Sequence, residues 1–246
     1  MKTVGIIGGV GPESTIEYYR LIIATYREQQ SGAGVPPVNN DAQDPGATSY
    51  PSIIINSVDL SKLLAWIRAN ELDAFTNYLS AEIGRLARAG ANFGALASNT
   101  PHLVFDELRR RSPIPLISIV ESACDAAQKL GLKRVGLFGT RFTMQARFYF
   151  DVFAKAGITI AVPREDEQAY IHEKYMQELL NNLFLPETRQ RLLAIVERMK
   201  AEDNIGALIL GGTELPLILR DTEYQGVPFL DTTKIHVERI VAELVS

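Results

Sequence analysis

The sequence contains little cysteine and little histidine, and these shortages exclude two kinds of site. The 246-residue chain has one cysteine and three histidines. A single thiol cannot form an internal disulfide framework or a cysteine-based zinc site. His102, His172 and His236 do not have the spacing of two metal ligands on one helix face. No metal site is predicted.

Basic charge and long apolar runs are also missing. The formal net charge is −4 and the isoelectric point is about 5.5, whereas nucleic-acid-binding domains carry a basic stripe. No apolar run approaches the roughly 20 residues that cross a bilayer. The first residues enter a strand pattern at once, without the apolar core of a signal peptide. We therefore expect a cytoplasmic protein with neither a nucleic-acid nor a membrane partner.

Short apolar runs alternate with longer segments of helical periodicity along most of the chain. The runs are continuously apolar rather than alternating, which is typical of parallel strands covered on both faces. Predicted strands are Thr3–Gly8, Ser52–Asn56, Phe93–Ala97, Pro115–Ile119, Arg134–Phe138, Ile158–Val162, Ile205–Leu210 and Val227–Leu230. The order predicts an α/β fold.

The domain organisation is predicted from where this alternation fails. Residues 31–50 form a long polar segment rich in proline, glycine and asparagine, and loops of that length are usually lids, binding loops or disordered. No proline- or serine-rich linker follows. We expect two interleaved lobes, residues 1–113 plus 222–246 and residues 114–221.

Hydroxyl-bearing loops follow three of the predicted strands. They contain Ser98, Asn99 and Thr100; Thr140 and Thr143; and Thr213 and Glu214. Free backbone N–H groups where a strand ends and a helix begins bind small anionic ligands. Ser, Asn and Thr are also good helix caps, so one such loop indicates no more than capping. Two at matching strand ends favour a cleft between two similar halves.

A glycine-rich turn follows the first predicted strand, with Gly9 and Gly11 before Pro12. A dinucleotide site would have a third glycine where Ser14 stands, and an acidic residue at the end of the second strand, which instead ends in Asn56. Two interpretations remain open. The glycines either let the backbone approach a small carboxylate or simply form a tight turn.

These segments together resemble the PLP-independent aspartate/glutamate racemase family over nearly the whole chain. The matching signatures are Gly8-Gly9-Val10-Gly11-Pro12-Glu13-Ser14-Thr15 with Tyr18-Tyr19, Ser98-Asn99-Thr100-Pro101-His102, Gly139-Thr140-Arg141-Phe142-Thr143-Met144, Gly212-Thr213-Glu214-Leu215 and Asp231-Thr232-Thr233-Lys234-Ile235-His236. The resemblance implies two pseudo-symmetric α/β lobes, each a mainly parallel sheet flanked by helices, with the ligand cleft between them. It also implies a homodimer, no cofactor, and proton transfer at the carbon next to a carboxylate by groups on opposite faces.

The chain departs from the family at the two positions that carry the chemistry. The resemblance places the family's catalytic cysteines at Ser98 and Gly212. A thiolate can be poised near neutral pH, whereas a serine hydroxyl is a far weaker acid and glycine has no side chain. Two-thiol racemisation therefore cannot operate here. His102, one helical turn past Ser98, would either orient that hydroxyl or serve as a partly buried structural residue.

The resemblance also assigns the substrate-binding positions. They are Gly9, Gly11, Ser52, Asn99, Thr100, Thr140, Thr143, Tyr170, Thr213 and Glu214. Ser52 and Tyr170 stand where the family has basic residues, so a dicarboxylate would lose charge-assisted hydrogen bonds worth roughly 1.5–3 kcal/mol each, unless a nearby cation such as Arg141 compensates. Three functions remain open: an isomerase of a small amino or carboxylic acid, a diverged lyase or decarboxylase, and a non-catalytic carboxylate-binding protein.

Overall fold

A computed structural model describes residues 2–31 and 50–246. The strands are β1 (Thr3–Gly8), β2 (Ser52–Ser57), β3 (Phe93–Leu96), β4 (Leu116–Ile117), β5 (Arg134–Gly139), β6 (Thr159–Ala161), β7 (Leu208–Gly211), β8 (Glu223–Tyr224) and β9 (Val227–Asp231). The helices are α1 (Pro12–Ser31), α2 (Leu60–Arg68), α3 (Leu72–Arg88), α4 (Phe105–Arg111), α5 (Ile119–Lys129), α6 (Arg141–Gln145), α7 (Arg147–Lys155), α8 (Glu165–Gln177), α9 (Pro186–Asp203), α10 (Leu215–Ile218) and α11 (Thr232–Val245), with 3₁₀ turns at Thr100–Val104 and Leu179–Asn181. Apart from its two end residues, the polar segment predicted at 31–50 lies outside the described residues.

The strands form two sheets, and the four parallel strands of each sheet have the same order. The first sheet runs β2-β1-β3-β4 and the second runs β6-β5-β7-β9-β8. All pairs are parallel except β8 with β9, which is antiparallel at the edge of the second sheet. The four parallel strands of each sheet therefore follow the order second, first, third, fourth along the chain. The predicted α/β fold with mainly parallel sheets flanked by helices is confirmed.

Strand pairing moves both predicted lobe boundaries. β4 pairs with β3 of the first sheet, although residues 114–221 were assigned to the second lobe. β9 pairs with β7 of the second sheet, although residues 222–246 were assigned to the first. Apolar periodicity identifies a strand but not its neighbour, so these two edge regions were placed in the wrong half. Only α11 returns to the first sheet, where Val237 and Ile240 pack with Val4 and Ile6.

The central strands are apolar on both faces because helices cover both. On β1, Ile6 packs with Tyr18 of α1, whereas the next residue, Ile7, packs with Phe75 of α3 on the opposite face. In the second sheet, successive residues of β7 likewise pack on opposite faces, in two separate hydrophobic clusters. Burying each such side chain contributes about 1.5–3 kcal/mol, which explains why the runs are continuously apolar.

The shared strand order fixes where a site can form. In each sheet the chain moves to the second strand on one side of the first, then returns to the third strand on the other side. In open α/β sheets, ligands bind outside the carboxyl ends of the strands at this point of reversal. The relevant loops are those after β1 and β3 and those after β5 and β7.

None of the helices within residues 2–31 and 50–246 has the length and apolar character that crossing a bilayer requires.

Candidate functional site

One pocket receives residues from all four of these loops. Gly11 follows β1, Ser98 follows β3, Thr140 follows β5 and Glu214 follows β7, and all four line it. The cleft is narrow, and the cavity between these loops has a volume of about 50 Å³. Residues that the sequence placed at separate strand ends therefore meet in a single cleft with contributions from both sheets.

The two glycines after β1 have different roles. Gly9 has a φ of 83° and a Cβ there would lie 2.3 Å from the carbonyl oxygen of Val58, so the tight turn requires glycine. Gly11 has a φ of 91°, and a Cβ would lie 2.7 Å from Oε1 of Glu214. Gly11 therefore lets the first-sheet loop approach the loop that follows β7, and of the two glycines only Gly11 lines the pocket.

The loop after β3 presents one hydroxyl and turns the next side chain away. Ser98 lines the pocket with 8% of its surface exposed. The Asn99 amide is buried, where Oδ1 accepts from the Tyr149 hydroxyl at 2.7 Å and Nδ2 donates to Thr232 Oγ1 at 3.4 Å. Thr100 returns to the pocket wall. Asn99 thus fixes the loop from behind instead of facing the cleft.

His102 does not supply a base to Ser98. It is buried, its Nε2 accepts from the Ile119 backbone N–H at 3.3 Å, and its ring stacks on Phe105 with centroids 4.5 Å apart. Burial lowers the pKa of His102 to about 3, so the imidazole stays neutral. Of the two roles considered for it, the buried structural one is found.

The loop after β5 is a helix cap with one residue on the pocket. Thr140 is the N-cap of α6, and its Oγ1 accepts from the Thr143 backbone N–H at 3.3 Å. Thr140 lines the pocket, whereas Thr143 is buried behind it with its hydroxyl 3.2 Å from that of Thr140.

The loop after β7 carries a buried carboxyl group surrounded by hydroxyl donors. Glu214 is 2% exposed. Its Oε1 accepts from Ser14 Oγ at 2.9 Å, and its Oε2 accepts from Thr213 Oγ1 at 2.8 Å and from the hydroxyl of Tyr175. The Ser14 and Thr213 hydroxyls lie 2.5 Å apart. Ser14 belongs to α1, so this network joins the helix after the first strand to the second sheet.

The space beside Gly212 is filled by Tyr175 of α8. A Cβ on Gly212 would lie 2.5 Å from Cε2, 2.7 Å from the hydroxyl oxygen and 2.9 Å from Cζ of Tyr175. Tyr175 lines the same pocket as Ser98. Burial, and then the negative charge of Glu214, raise the pKa of its phenol well above the usual value. Gly212 itself has no titratable atom and does not line the pocket, but Tyr175, which lies against it, and Glu214, two residues further on, both do.

Six of the ten predicted substrate-binding residues do not line the pocket. Gly9, Asn99, Thr143 and Thr213 each adjoin a lining residue in the sequence, whereas Ser52 and Tyr170 do not. Ser52 pairs with Thr3 at the amino end of β1, whereas the pocket lies at the carboxyl ends, and its Oγ accepts from Thr3 Oγ1 at 3.0 Å. Tyr170 lies on α8, one and a half turns before Tyr175, and packs partly buried against the core of the second half. Lys174 Nζ lies 5.7 Å from the Tyr170 ring centroid. Neither residue lines this pocket, because the resemblance aligned sequence positions without fixing strand register or helix face.

The rest of the pocket is apolar. Its described lining includes no Lys, Arg or His; the apolar residues that form most of it are Val10, Leu60, Leu63, Leu64, Ile67, Phe75, Pro101, Phe142, Met176 and Leu180. Arg141 is exposed and lies in an adjoining groove with Arg68 and His172. Among residues 2–31 and 50–246, no three His, Cys, Asp or Glu side chains cluster as metal ligands would.

Sequence reasoning missed the two hydroxyl groups that reach Glu214 from helices. Ser14 was considered as a departure from a dinucleotide motif and as one residue of a family signature, and Tyr175 was not considered at all. The serine one turn into α1 was a usable signal, because the start of a helix after a first strand faces the ligand edge of such a sheet. No local signal pointed to Tyr175, whose partner Glu214 is 39 residues away.

Comparisons with known proteins agree with this arrangement. The model of the family described as Asp/Glu/Hydantoin racemase matches residues 7–240. The broad specificity amino-acid racemase RacX of Bacillus subtilis is 25% identical over 236 residues, which cover 94% of this chain and 92% of RacX.

Solved structures match over the full length. An aspartate racemase homologue from Pyrococcus horikoshii is 29% identical with a TM-score of 0.78, and the match covers 100% of both chains. A Yersinia pestis protein provisionally described as an Asp/Glu racemase is 26% identical with a TM-score of 0.85, again over 100% of both chains.

Proposed function

Since the chain belongs to the Asp/Glu/hydantoin racemase family, we propose that it binds a small amino or carboxylic acid in the pocket described above and moves a proton at the carbon next to the carboxylate, without a cofactor. The observation that carries the proposal is that loops after β1, β3, β5 and β7 all line one pocket. A ligand there touches both halves of the fold.

The hydroxyls on the pocket wall suit the ligand's carboxylate. Ser98, Thr100 and Thr140 line the pocket, and each hydroxyl can donate one hydrogen bond to a carboxylate oxygen. Glu214 lies on the other side of the network, where its negative charge repels a carboxylate and attracts an amino group. The polar groups therefore orient an amino acid with its carboxylate toward Ser98 and Thr100.

The apolar lining favours a substrate with an apolar side chain. A second carboxylate in the pocket would meet no Lys, Arg or His among its described lining residues. It would forgo charge-assisted hydrogen bonds worth about 1.5–3 kcal/mol each, whereas an apolar side chain gains about 25 cal/mol for each Å² buried. We therefore place apolar amino acids and related monocarboxylic acids ahead of aspartate and glutamate.

A second candidate function is one-sided chemistry, such as decarboxylation or elimination. The unequal walls favour it, because Ser98 presents only an alcohol while Tyr175 and Glu214 lie beside Gly212. Decarboxylation needs a proton on one face of the carbanion, and an apolar pocket destabilises the departing carboxylate relative to neutral carbon dioxide.

Proton NMR in D₂O tests the proposal with a panel of leucine, phenylalanine, alanine, aspartate, glutamate and an aryl-substituted malonate. We expect loss of the Cα–H signal for the apolar amino acids, at higher rates than for aspartate. Carbon dioxide release from the malonate would favour the second candidate. If no member of the panel exchanges, reacts or raises the melting temperature, the proposal is wrong.

The quaternary structure and location belong to the same proposal. The family resemblance leads us to propose a homodimer in the cytoplasm. Sedimentation equilibrium measures the mass of the assembly, and a mass close to the 27.2 kDa of one chain would contradict the homodimer.

A further inference from the structure

The two groups that meet beside Gly212 suit a reaction that needs a proton-transfer group on that wall. We propose that the phenol of Tyr175, hydrogen-bonded to Glu214, transfers the substrate proton on the wall of the pocket that these two residues line, next to Gly212. This assignment rests on the proposed function. It replaces the thiol expected at position 212 with a side chain from α8.

The first argument is space. Real Cβ atoms essentially never approach another heavy atom within 3.0 Å, and a Cβ on Gly212 would lie within 2.9 Å of three Tyr175 atoms. The hydroxyl oxygen lies 2.7 Å from the position where a side chain at 212 would begin, which is closer than van der Waals contact allows. Residue 212 can therefore have no side chain while Tyr175 keeps its place, and the glycine and the tyrosine fit only as a pair.

The second argument is orientation. Tyr175 is 5% exposed and packs within the core of the second half. Its hydroxyl donates to Glu214 Oε2, and Glu214 is held in turn by Ser14 and Thr213. Both Tyr175 and Glu214 line the pocket. Because core packing holds the ring and a hydrogen bond holds the hydroxyl, the Tyr175 phenol is preorganised for proton transfer at the pocket.

The third argument is that the proton has a path. As the Cα–H bond breaks, its electron pair stays on carbon and is delocalised into the substrate carboxyl group. The proton joins the Tyr175 oxygen while the phenolic proton passes to Glu214 Oε2. Tyr175 ends as a phenol, Glu214 as a carboxylic acid and the substrate as an enolate, so protons and charge balance. Burial and Glu214 keep the phenol pKa high, which leaves the resting hydroxyl protonated and makes the carboxyl group the final acceptor.

The relay predicts a stereochemical result. Glu214 loses its proton to D₂O, and the reverse relay returns deuterium to the face from which the proton left. Wash-in with retained configuration should therefore exceed racemisation, because the loop after β3 offers only the weakly acidic alcohols of Ser98 and Thr100. Chiral chromatography of the deuterated product measures the two rates together.

The experiment compares the full-length protein with Tyr175→Phe, which keeps the ring and removes the hydroxyl. General acid–base groups contribute about 10²–10⁴-fold to rate, so we expect wash-in at saturating leucine to fall at least about 100-fold. The dissociation constant for leucine should change less than twofold. Tyr18→Phe is the control, because Tyr18 is also fully buried with one hydrogen bond, to His236 Nδ1 at 2.7 Å, and does not line the pocket.

Three results would overturn the assignment. Wash-in at the unaltered rate in a Tyr175→Phe protein that still binds leucine would exclude the phenol. Loss of wash-in in Glu214→Gln but not in Tyr175→Phe would make Glu214 the group that contacts Cα directly. Absence of wash-in in the unaltered protein would contradict the proposed function and this assignment together.

Discussion

The Ser14 hydroxyl donates to Glu214 Oε1 at 2.9 Å and thereby joins the first turn of α1 to the loop after β7. Both side chains are buried, with 3% and 2% of their surfaces exposed. Gly11 lies against the same carboxyl oxygen, so two segments next to β1 are held against the second sheet by one residue. Glu214 thereby joins the two halves of the fold next to the pocket, which Gly11 and Glu214 both line.

Ser14→Ala should destabilise the protein. Removing one partner of a buried hydrogen bond costs about 1–3 kcal/mol, and denaturation with urea at neutral pH measures the change in the free energy of unfolding. Ser61→Ala is the control, since Ser61 is exposed and bonds only to its own helix cap at Asp59. We expect a change within about 0.5 kcal/mol there. Equal effects of both substitutions would contradict the role of Ser14.

The fit between Gly212 and Tyr175 can be measured without any substrate. Gly212→Ala should destabilise by about 1–3 kcal/mol because the added Cβ overpacks against the phenol ring. Tyr175→Ala removes the ring, so adding Gly212→Ala to it should cost little. A double-mutant cycle should therefore give a coupling of about 1–3 kcal/mol. Additive effects would mean that the ring does not occupy this space.

Stability should fall as the pH drops below about 6.5. His236 is fully buried, its Nδ1 accepts from the Tyr18 hydroxyl and its Nε2 donates to the Ile117 carbonyl oxygen at 3.1 Å. Burial lowers its pKa to about 4. The unfolded chain binds this proton first, so the free energy of unfolding should decrease between pH 6.5 and pH 4.

The size of this effect and its source can be separated by substitution. The His236 contribution should reach at most about 3 kcal/mol at pH 4. Urea titrations of His236→Gln at several pH values should show a shallower dependence than the unaltered protein. His172→Gln is the control, because His172 is only partly buried. An unchanged slope in His236→Gln would contradict the assignment.

At the strand ends the sequence predicted several residues that line the pocket, but not which of their neighbours face away from it. Ser98, Thr140 and Glu214 were predicted from a loop that follows an apolar run, and all three line the pocket. This succeeded because the carboxyl ends of parallel strands necessarily share an edge of the sheet.

Side chains that arrive from elsewhere were not predictable in this way. Tyr170 and Tyr175 stand on the same helix, and only the second faces Gly212. Which of them does so depends on the rotation of α8 about its own axis, which its packing on the second sheet decides. The position of Ser52 was unpredictable for a related reason, since the register of β2 against β1 places this residue at the end of the strand away from the pocket.

The apolar lining predicts that a single cation should reverse the ligand preference. Met176 lines the pocket, and Met176→Lys would place an ammonium group there. A charge-assisted hydrogen bond to a second carboxylate is worth about 1.5–3 kcal/mol, so the affinity for aspartate should rise about 10- to 100-fold, while that for leucine falls. Gln177→Lys adds the same charge on the next, exposed residue of α8, which does not line the pocket. Isothermal titration of both variants with both amino acids separates the effect of a local contact from the effect of the changed net charge. An equal gain in aspartate affinity in the two variants would show that the lining of this pocket does not select the ligand.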